Sequence, residues 1–174
     1  MLNIWELDEP IATNIQELIE LSDHLNYLYN KKVTLCGFTV DYSLYEHLHK
    51  ITSEGHPEIL CFSKCKISND SFDLFVDLEC LNTKLSINNC DLTPKLGIMI
   101  LESFDAYLPV DMDLSNNKLG IGDCIRFIEH IKKDVRTNLA GFSSINISNN
   151  GFSQDIIDDL RNFAKEHKHY HIII

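Results

Sequence analysis

Three histidines within five residues, His167-Lys168-His169-Tyr170-His171, form the densest group of metal-ligating side chains in the chain. In an extended segment side chains alternate between faces, which would put His169 and His171 on one side, near enough to share a metal ion. A zinc site needs three or four ligands, and the sequence places no third donor beside them. Glu46-His47-Leu48-His49 lacks the two-histidine, one-turn spacing of a helical zinc protease site. Of the six cysteines, Cys61 and Cys65 are separated by three residues, and no Cys-X-X-Cys pair occurs. Cys65 and Cys90 read as packing residues, Cys61 as an outward strand residue, and Cys80 and Cys124 lie near helices. No local signature pairs a serine or cysteine nucleophile with a histidine and an acid. Gly120-Ile121-Gly122 lacks the further glycine and the lysine of a phosphate-binding loop. Asp155, Asp158 and Asp159 read as acids that favour a helix dipole rather than as a catalytic pair. The expectation is no enzyme, no metal and no cofactor.

The bulk composition narrows the partner. At 174 residues, 44% hydrophobic and 24% charged, the chain reads as one soluble globular domain. Its formal charge of −11 argues against nucleic acid, because phosphate binding uses clustered lysine and arginine, and Lys31-Lys32 and Lys132-Lys133 are short. A protein surface that is basic or neutral is the expected partner. No run approaches the ~18 apolar residues of a membrane span, so no membrane insertion is expected. The stretch Met1-Leu2-Asn3-Ile4-Trp5-Glu6 lacks the basic and apolar regions of a secretory leader, which points to a reduced, cytoplasmic setting.

Against this thin chemistry stands a repeat. Val33-Thr34-Leu35-Cys36-Gly37-Phe38-Thr39-Val40 shares its spacing with Leu60–Ile67, Leu85–Leu92, Met112–Leu119 and Ile145–Phe152, and a sixth copy begins at Ile172. The start positions 33, 60, 85, 112, 145 and 172 are 27, 25, 27, 33 and 27 residues apart; the long spacing marks an insertion around Asp134 to Gly141. Within each copy the first and third residues alternate with outward ones, as in a half-buried strand. Position six, read as Phe38, Cys65, Cys90, Asn117 and Asn150, is where the chain turns away. An asparagine there can satisfy stranded backbone groups of neighbouring turns, with cysteine as its small substitute.

Helical stretches separate the copies. Thr93-Pro94 is a strong start signal, and Leu96, Met99, Ile100, Ser103 and Phe104 follow it at helical spacing. Ser43 and Glu46 form a capping-box pattern before Leu44, Leu48 and Ile51. Apolar stripes are also expected from Phe72, Phe75, Val76 and Leu78, from Ile125, Ile128 and Ile131, and from Ile156, Ile157, Leu160, Phe163 and Ala164. Thr13 to Tyr29 reads as one N-terminal helix with Ile15, Leu18, Ile19, Leu25 and Leu28 inward, preceded by a short edge strand at Leu2 and Ile4.

These repeats resemble the leucine-rich-repeat superfamily, and units near 27 residues with a helical side are similar to its ribonuclease-inhibitor-like subtype. The resemblance covers roughly residues 30 to 174. It implies an α/β leucine-rich-repeat solenoid, a horseshoe with a parallel β-sheet on the concave face and helices on the convex face. Residues 1–30 would be an N-terminal capping helix region and residues 31–174 about five repeats plus a final strand. Short acidic proteins of this kind, rich in Asn, Ile and Lys, are similar to effectors that intracellular bacterial pathogens secrete into host cells. The implied function is a protein–protein interaction module. The alternatives are a GTPase regulator, for which no arginine stands out after the strands, and a ubiquitin-ligase adaptor, since Leu7-Asp8-Glu9-Pro10-Ile11 and the following helix resemble the start of an F-box.

In such a horseshoe the outward strand positions line up across repeats. The candidate partner-binding residues are therefore Cys61, Ser63, Lys84, Ser86, Asn88, Asp111, Asp113, Ser115, Asn146 and Ser148, with Ser144, Thr34 and Cys36 beside them. They form a small, polar stripe, acidic at its centre, and the competing reading is that they are only solvated strand positions. The aromatic residues that usually anchor interfaces, Trp5, Tyr27, Tyr29, Tyr42, Tyr45, Tyr107 and Tyr170, fall on helices or near the ends, which favours a partner on the convex or N-terminal side instead. The apolar stretch Ile172-Ile173-Ile174 reads as an unprotected edge, expected to pair in a homodimer or to be covered by further residues.

Overall fold

The structure, a computed structural model, describes residues 3–68, 71–78, 84–103, 111–137 and 143–174. Leu2, Cys80, Phe104 and Tyr107, the segment 138–142 of the insertion, and the side chains of Trp5, Phe72 and Val76 lie outside the described residues. In chain order the elements are β1 (Ile11–Ala12), α1 (Ile15–Asp23), β2 (Lys32–Cys36), β3 (Thr39–Val40), α2 (Tyr45–Ser53), β4 (Ile59–Ser63), β5 (Lys66–Ile67) and α3 (Ser71–Asp77). Then follow β6 (Lys84–Asn88), α4 (Pro94–Ser103), β7 (Asp111–Asp113), α5 (Cys124–Thr137), β8 (Ser144–Asn146), α6 (Gln154–Glu166) and β9 (His171–Ile173).

The fold is α/β. Seven strands form one parallel sheet in the order β1-β2-β4-β6-β7-β8-β9, and β3 pairs with β5 in a second, two-stranded sheet. Each strand of the large sheet lies beside its predecessor, so every connection steps in the same direction. Right-handed crossovers repeated that way put the helices over one face, and α1 touches α2, α3 touches α4, and α4 touches α5.

The hydrogen-bond register reproduces the spacing of the repeats. Val33 pairs with Leu60, Leu60 with Leu85, Leu85 with Met112, Met112 with Ile145, and Ile145 with Ile172. Unequal spacings are therefore taken up outside the strands, in the helical halves; α5 itself runs into the insertion as far as Thr137. Residues one and three of the five copies, such as Leu60 and Phe62 or Leu85 and Ile87, are at most 2% exposed. They pack with Leu48, Ile51, Leu74, Ile100, Phe127, Ile131 and Leu160 from the helices in one continuous core. Phe62 meets Phe75 of α3 edge to face with centroids 5.8 Å apart.

The turn after each strand has a common cause. The fifth residue of every copy is left-handed, with φ of 80° at Gly37, 53° at Lys64 and Asn89, and 56° at Asn116 and Asn149. Glycine and asparagine tolerate that conformation better than other residues, and it swings the sixth side chain back under the sheet.

Several helical expectations shift in detail. The N-terminal helix ends at Asp23, and a 3-10 turn, Leu25–Tyr27, follows a break at His24, whose Nδ1 lies 2.7 Å from the Glu20 carbonyl oxygen. Ile4 lies in a 3-10 turn rather than a strand, and the edge strand is Ile11–Ala12, paired with Thr34 and Leu35. Asp41, not Ser43, caps the chain before α2, accepting from the Ser43 amide at 2.9 Å. Ile125 points outward at 66% exposure, while Phe127, Ile128, Ile131 and Val135 form the inward stripe of α5. Thr93 does cap α4, its Oγ1 accepting from the Leu96 amide at 3.5 Å.

At the start of α1, Asn14 Oδ1 accepts from the Glu17 amide at 3.1 Å, and Glu17 Oε2 accepts from the Thr13 amide at 2.6 Å and hydroxyl at 2.8 Å. The Thr13 amide, then its hydroxyl, hold the Glu17 carboxyl below its ordinary value of 4.5. A lowered folded pKa means that the unfolded chain binds more protons on acidification. The box therefore stabilises above the ordinary carboxyl range and stops doing so as pH falls through the folded value. Glu17→Gln should lower the urea midpoint near neutral pH, and the gap from wild type should narrow as pH falls below the ordinary carboxyl range.

Candidate functional site

The face of the sheet opposite the helices carries the expected stripe. Parallel pairing sets Cys61 beside Ser86, Ser86 beside Asp113, and Asp113 beside Asn146. One residue before each copy, Lys84 and Asp111 hold the flanking row, with Asp111 paired to Ser144. A shallow depression of about 320 Å³ opens there, lined by Lys84, Ser86, Asn88, Asp111, Asp113 and Asn146 among the expected residues, together with Lys32, Ile59, Leu85, Met112 and Ser144. Six of the ten candidates are thereby brought together.

The other four are placed differently. Ser63 and Ser148 are half-buried at the strand ends outside this depression, whereas Cys61 and Ser115 are buried. Ser86, although it lines the depression, is also buried and forms part of its floor. Strands ~4.8 Å apart let side chains of adjacent rows close over one another, so an outward strand position is not automatically an exposed one. The Asn88 amide, for example, donates to Cys61 Sγ at 3.4 Å and to Ser86 Oγ at 2.9 Å.

A hydrogen-bond network organises the face. Ser86 Oγ donates to Asp113 Oδ2 at 3.1 Å, and the Ser115 amide donates to Asp113 Oδ1 at 3.0 Å. Ser144 Oγ donates to Asp111 Oδ1 at 2.6 Å. Lys84 Nζ stands 3.3 Å from Glu58 and 3.7 Å from Asp111, and Lys32 stands 3.4 Å from Glu9. Asp111 thus shares a lysine, while Asp113 holds only neutral donors among the described residues.

Below this face runs the ladder expected at the sixth position. Asn117 Oδ1 accepts from the amides of Cys90 at 2.9 Å and Leu92 at 3.2 Å, while its Nδ2 donates to the carbonyls of Ile87 at 2.7 Å and Leu114 at 3.0 Å. Asn150 repeats the scheme one unit later, accepting from the Leu119 amide at 3.1 Å and donating to the Leu114 carbonyl at 2.9 Å. Cys90 Sγ donates to the Phe62 carbonyl at 3.4 Å and accepts from the Cys65 amide at 3.4 Å. The neighbouring Cys65 thiol and burial push the Cys90 thiol well above its ordinary range, so it stays a protonated donor. All five described cysteines are unbridged thiols.

The chemistry weighed at the sequence level is placed as follows. His171 lies in β9, but His169 precedes the strand, so alternation does not align the pair. His167 stacks on Phe163 of α6 with centroids 4.1 Å apart. Among the described residues no three His, Cys, Asp or Glu side chains converge as metal ligands would. Tyr42 stacks on Tyr45 at 5.1 Å and donates to Asp77 at 3.0 Å; the Asp77 bond holds the phenol above its ordinary pKa. Tyr27, Tyr29 and Tyr42 are exposed, away from the depression. No helix among the described residues is long and apolar enough to cross a membrane.

Two polar pairs had no local sequence signal. Ser22 Oγ lies 3.0 Å from His47 Nδ1, the geometry of a nucleophile beside a base, but Ser22 is 1% exposed and donates to the Ile19 carbonyl at 2.8 Å. A substrate cannot reach it, so the pair ties α1 to α2. Lys132 is buried on α5 and reaches Asp159 on α6, with Glu129 at 3.8 Å and the Phe163 ring centroid at 5.7 Å. Removing the Asp159 carboxylate would leave the buried ammonium with Glu129 at 3.8 Å as its remaining counter-charge among the described residues. Asp159→Ala should cost about 2 kcal/mol, and Lys132→Met, which takes away the charge itself, much less; urea midpoints of the two variants separate these outcomes.

No protein-family model matches the chain, and no curated protein matches it.

Proposed function

We propose that the chain is a leucine-rich-repeat solenoid of the ribonuclease-inhibitor-like kind that binds a partner protein on the sheet face opposite its helices. The observation that carries this reading is the in-register stacking of repeat starts 33, 60, 85, 112, 145 and 172, backed by the asparagine and cysteine ladder. Strands repeat every ~4.8 Å, whereas packed helices need ~8–10 Å, so such a stack bends into a horseshoe with the sheet inside. The concave side then offers a broad surface that is polar, shallow and held rigidly by its hydrogen bonds.

The setting proposed with it is the cytoplasm of a host cell into which the protein is secreted as a bacterial effector, a reading supported by acidity and by its Asn, Ile and Lys content. A GTPase or a ubiquitin ligase as partner is the alternative within the same class. The segment resembling an F-box supports the adaptor version poorly, because Ala12, Leu18 and Leu21 are fully buried as a cap on the core. Homodimerisation through β9 is proposed as a property of the same fold. His171–Ile173 pairs with β8 on one side and Ile173 is 52% exposed; a protein that stays monomeric over a wide concentration range contradicts it.

The test is affinity capture from a eukaryotic cytosolic lysate with wild type and with Asp111→Lys/Asp113→Lys as baits. A stoichiometric partner held by wild type should be lost with the double variant while its far-UV circular dichroism still shows a folded chain. A partner retained equally by both baits contradicts the assignment of this face.

A further inference from the structure

The sheet face has an uneven charge balance at its centre. Asp111 and Asp113 lie two residues apart on β7 and so project from the same face, with Cα atoms about 6.6 Å apart. Lys84 serves Asp111 but is itself shared with Glu58. Asp113 is half-buried and lines the depression, and each of its oxygens accepts one bond from a neutral donor, which leaves each with further acceptor capacity. Among the described residues that line the depression, Asp111 and Asp113 stand with Lys32 and Lys84, and those two lysines also pair with Glu9 and Glu58. A cation brought by the partner would complete this arrangement.

Resting on the partner-binding reading above, we propose that the occupant of this depression is an arginine side chain of the partner, its guanidinium paired with Asp113. Both Asp113 oxygens have acceptor capacity left, which suits the two parallel N–H donors of a guanidinium better than a single ammonium. Ser86, Asn88 and Asn146 are small enough to leave room for the planar head, and about 320 Å³ accommodates it with its stem. Lys84 stands on the Asp111 side and so orients the incoming cation toward Asp113 by repulsion. The partner is thus a protein with an exposed arginine on a basic surface, in keeping with a net charge of −11 on this chain.

The experiment titrates the full chain with ethylguanidinium and, separately, with n-butylammonium at matched ionic strength, reading backbone amide shifts by NMR. Ethylguanidinium should give saturable shifts centred on Ser86, Asp113 and Asn146 and bind about threefold more tightly than butylammonium. Asp113→Asn, which keeps an acceptor for the Ser115 amide, should weaken it by about fivefold, and Glu166→Gln on the far helix should leave it unchanged. Equal response to the two cations overturns the arginine assignment. Unsaturable shifts spread over the acidic surface, or an unaffected Asp113→Asn variant, overturn the site. If the Asp111/Asp113 double variant still loses a captured protein, either result removes the arginine and leaves the partner-binding face standing.

Discussion

Asn117→Ala should be among the most destabilising single substitutions in this protein, costing about 3–4 kcal/mol in urea unfolding. The side chain is buried and serves two amides and three carbonyls of the unit before it and of its own turn. Truncation leaves those groups with neither water nor partner, at about 1–3 kcal/mol for each buried group left unsatisfied, less what local relaxation recovers. Asn117→Cys is the informative companion. Cys90 and Cys65 occupy the same repeat position and bond neighbouring carbonyls at 3.4 Å, so a thiol there should recover part of the loss. Equal losses for alanine and cysteine would show that the ladder bonds are not what the position supplies.

The second large effect is expected at Gly120. A Cβ there would stand 2.4 Å from the carbonyl carbon of Gly151 and from the Phe152 amide nitrogen, and 2.6 Å from the Gly151 oxygen. All three are backbone atoms of the next turn, so no side-chain rotation relieves the clash. Gly120 also donates its amide to the Asn150 carbonyl at 2.9 Å, which fixes the approach from the other direction. Gly120→Ala should therefore push the last two units apart, at about 3 kcal/mol, and lower the thermal midpoint by roughly 6–12 °C. Gly122→Ala is the contrast: nothing lies within 4 Å of its Cβ position, and only its φ of 75° opposes the change. It should cost about 1 kcal/mol.

The register of the sheet was legible in the sequence because alternation at residues one and three recurs in every copy and, from the second copy on, a cysteine or asparagine stands at residue six, with Phe38 departing from that rule in the first. Every start position chosen on that basis pairs with the next. Two-residue strands were not legible. Ile11–Ala12 and the pair Thr39–Val40 with Lys66–Ile67 are too short for any period and exist because a longer neighbouring strand or turn offers them partners. Helix phase was legible only in part. Of the expected stripe Ile125, Ile128, Ile131, the last two are buried and Ile125 is not, and packing against the strands turned Phe127 and Val135 inward beside them. The His24 break and the Asp41 cap depend on side-chain bonds to nearby backbone, which compete with the propensity pattern.

For the candidate face, strand alternation identified which side chains point away from the core. It could not tell which of them remain open. Cys61, Ser86 and Ser115 are covered by residues one repeat away or by their own turn, and that depends on side-chain size across rows rather than along the chain. The Ser22–His47 and Lys132–Asp159 pairs were invisible for a related reason: helices from adjacent units bring together residues separated by 25 and 27 positions.

The central claim is that the sheet face, not the helical face, meets the partner. It is tested most directly by placing a photo-crosslinking amino acid at Asn146 on the sheet and, in a second protein, at Arg161 on α6, then irradiating each with the captured partner. Crosslinking from Asn146 and none from Arg161 is the predicted result; crosslinking from Arg161 alone would contradict the account.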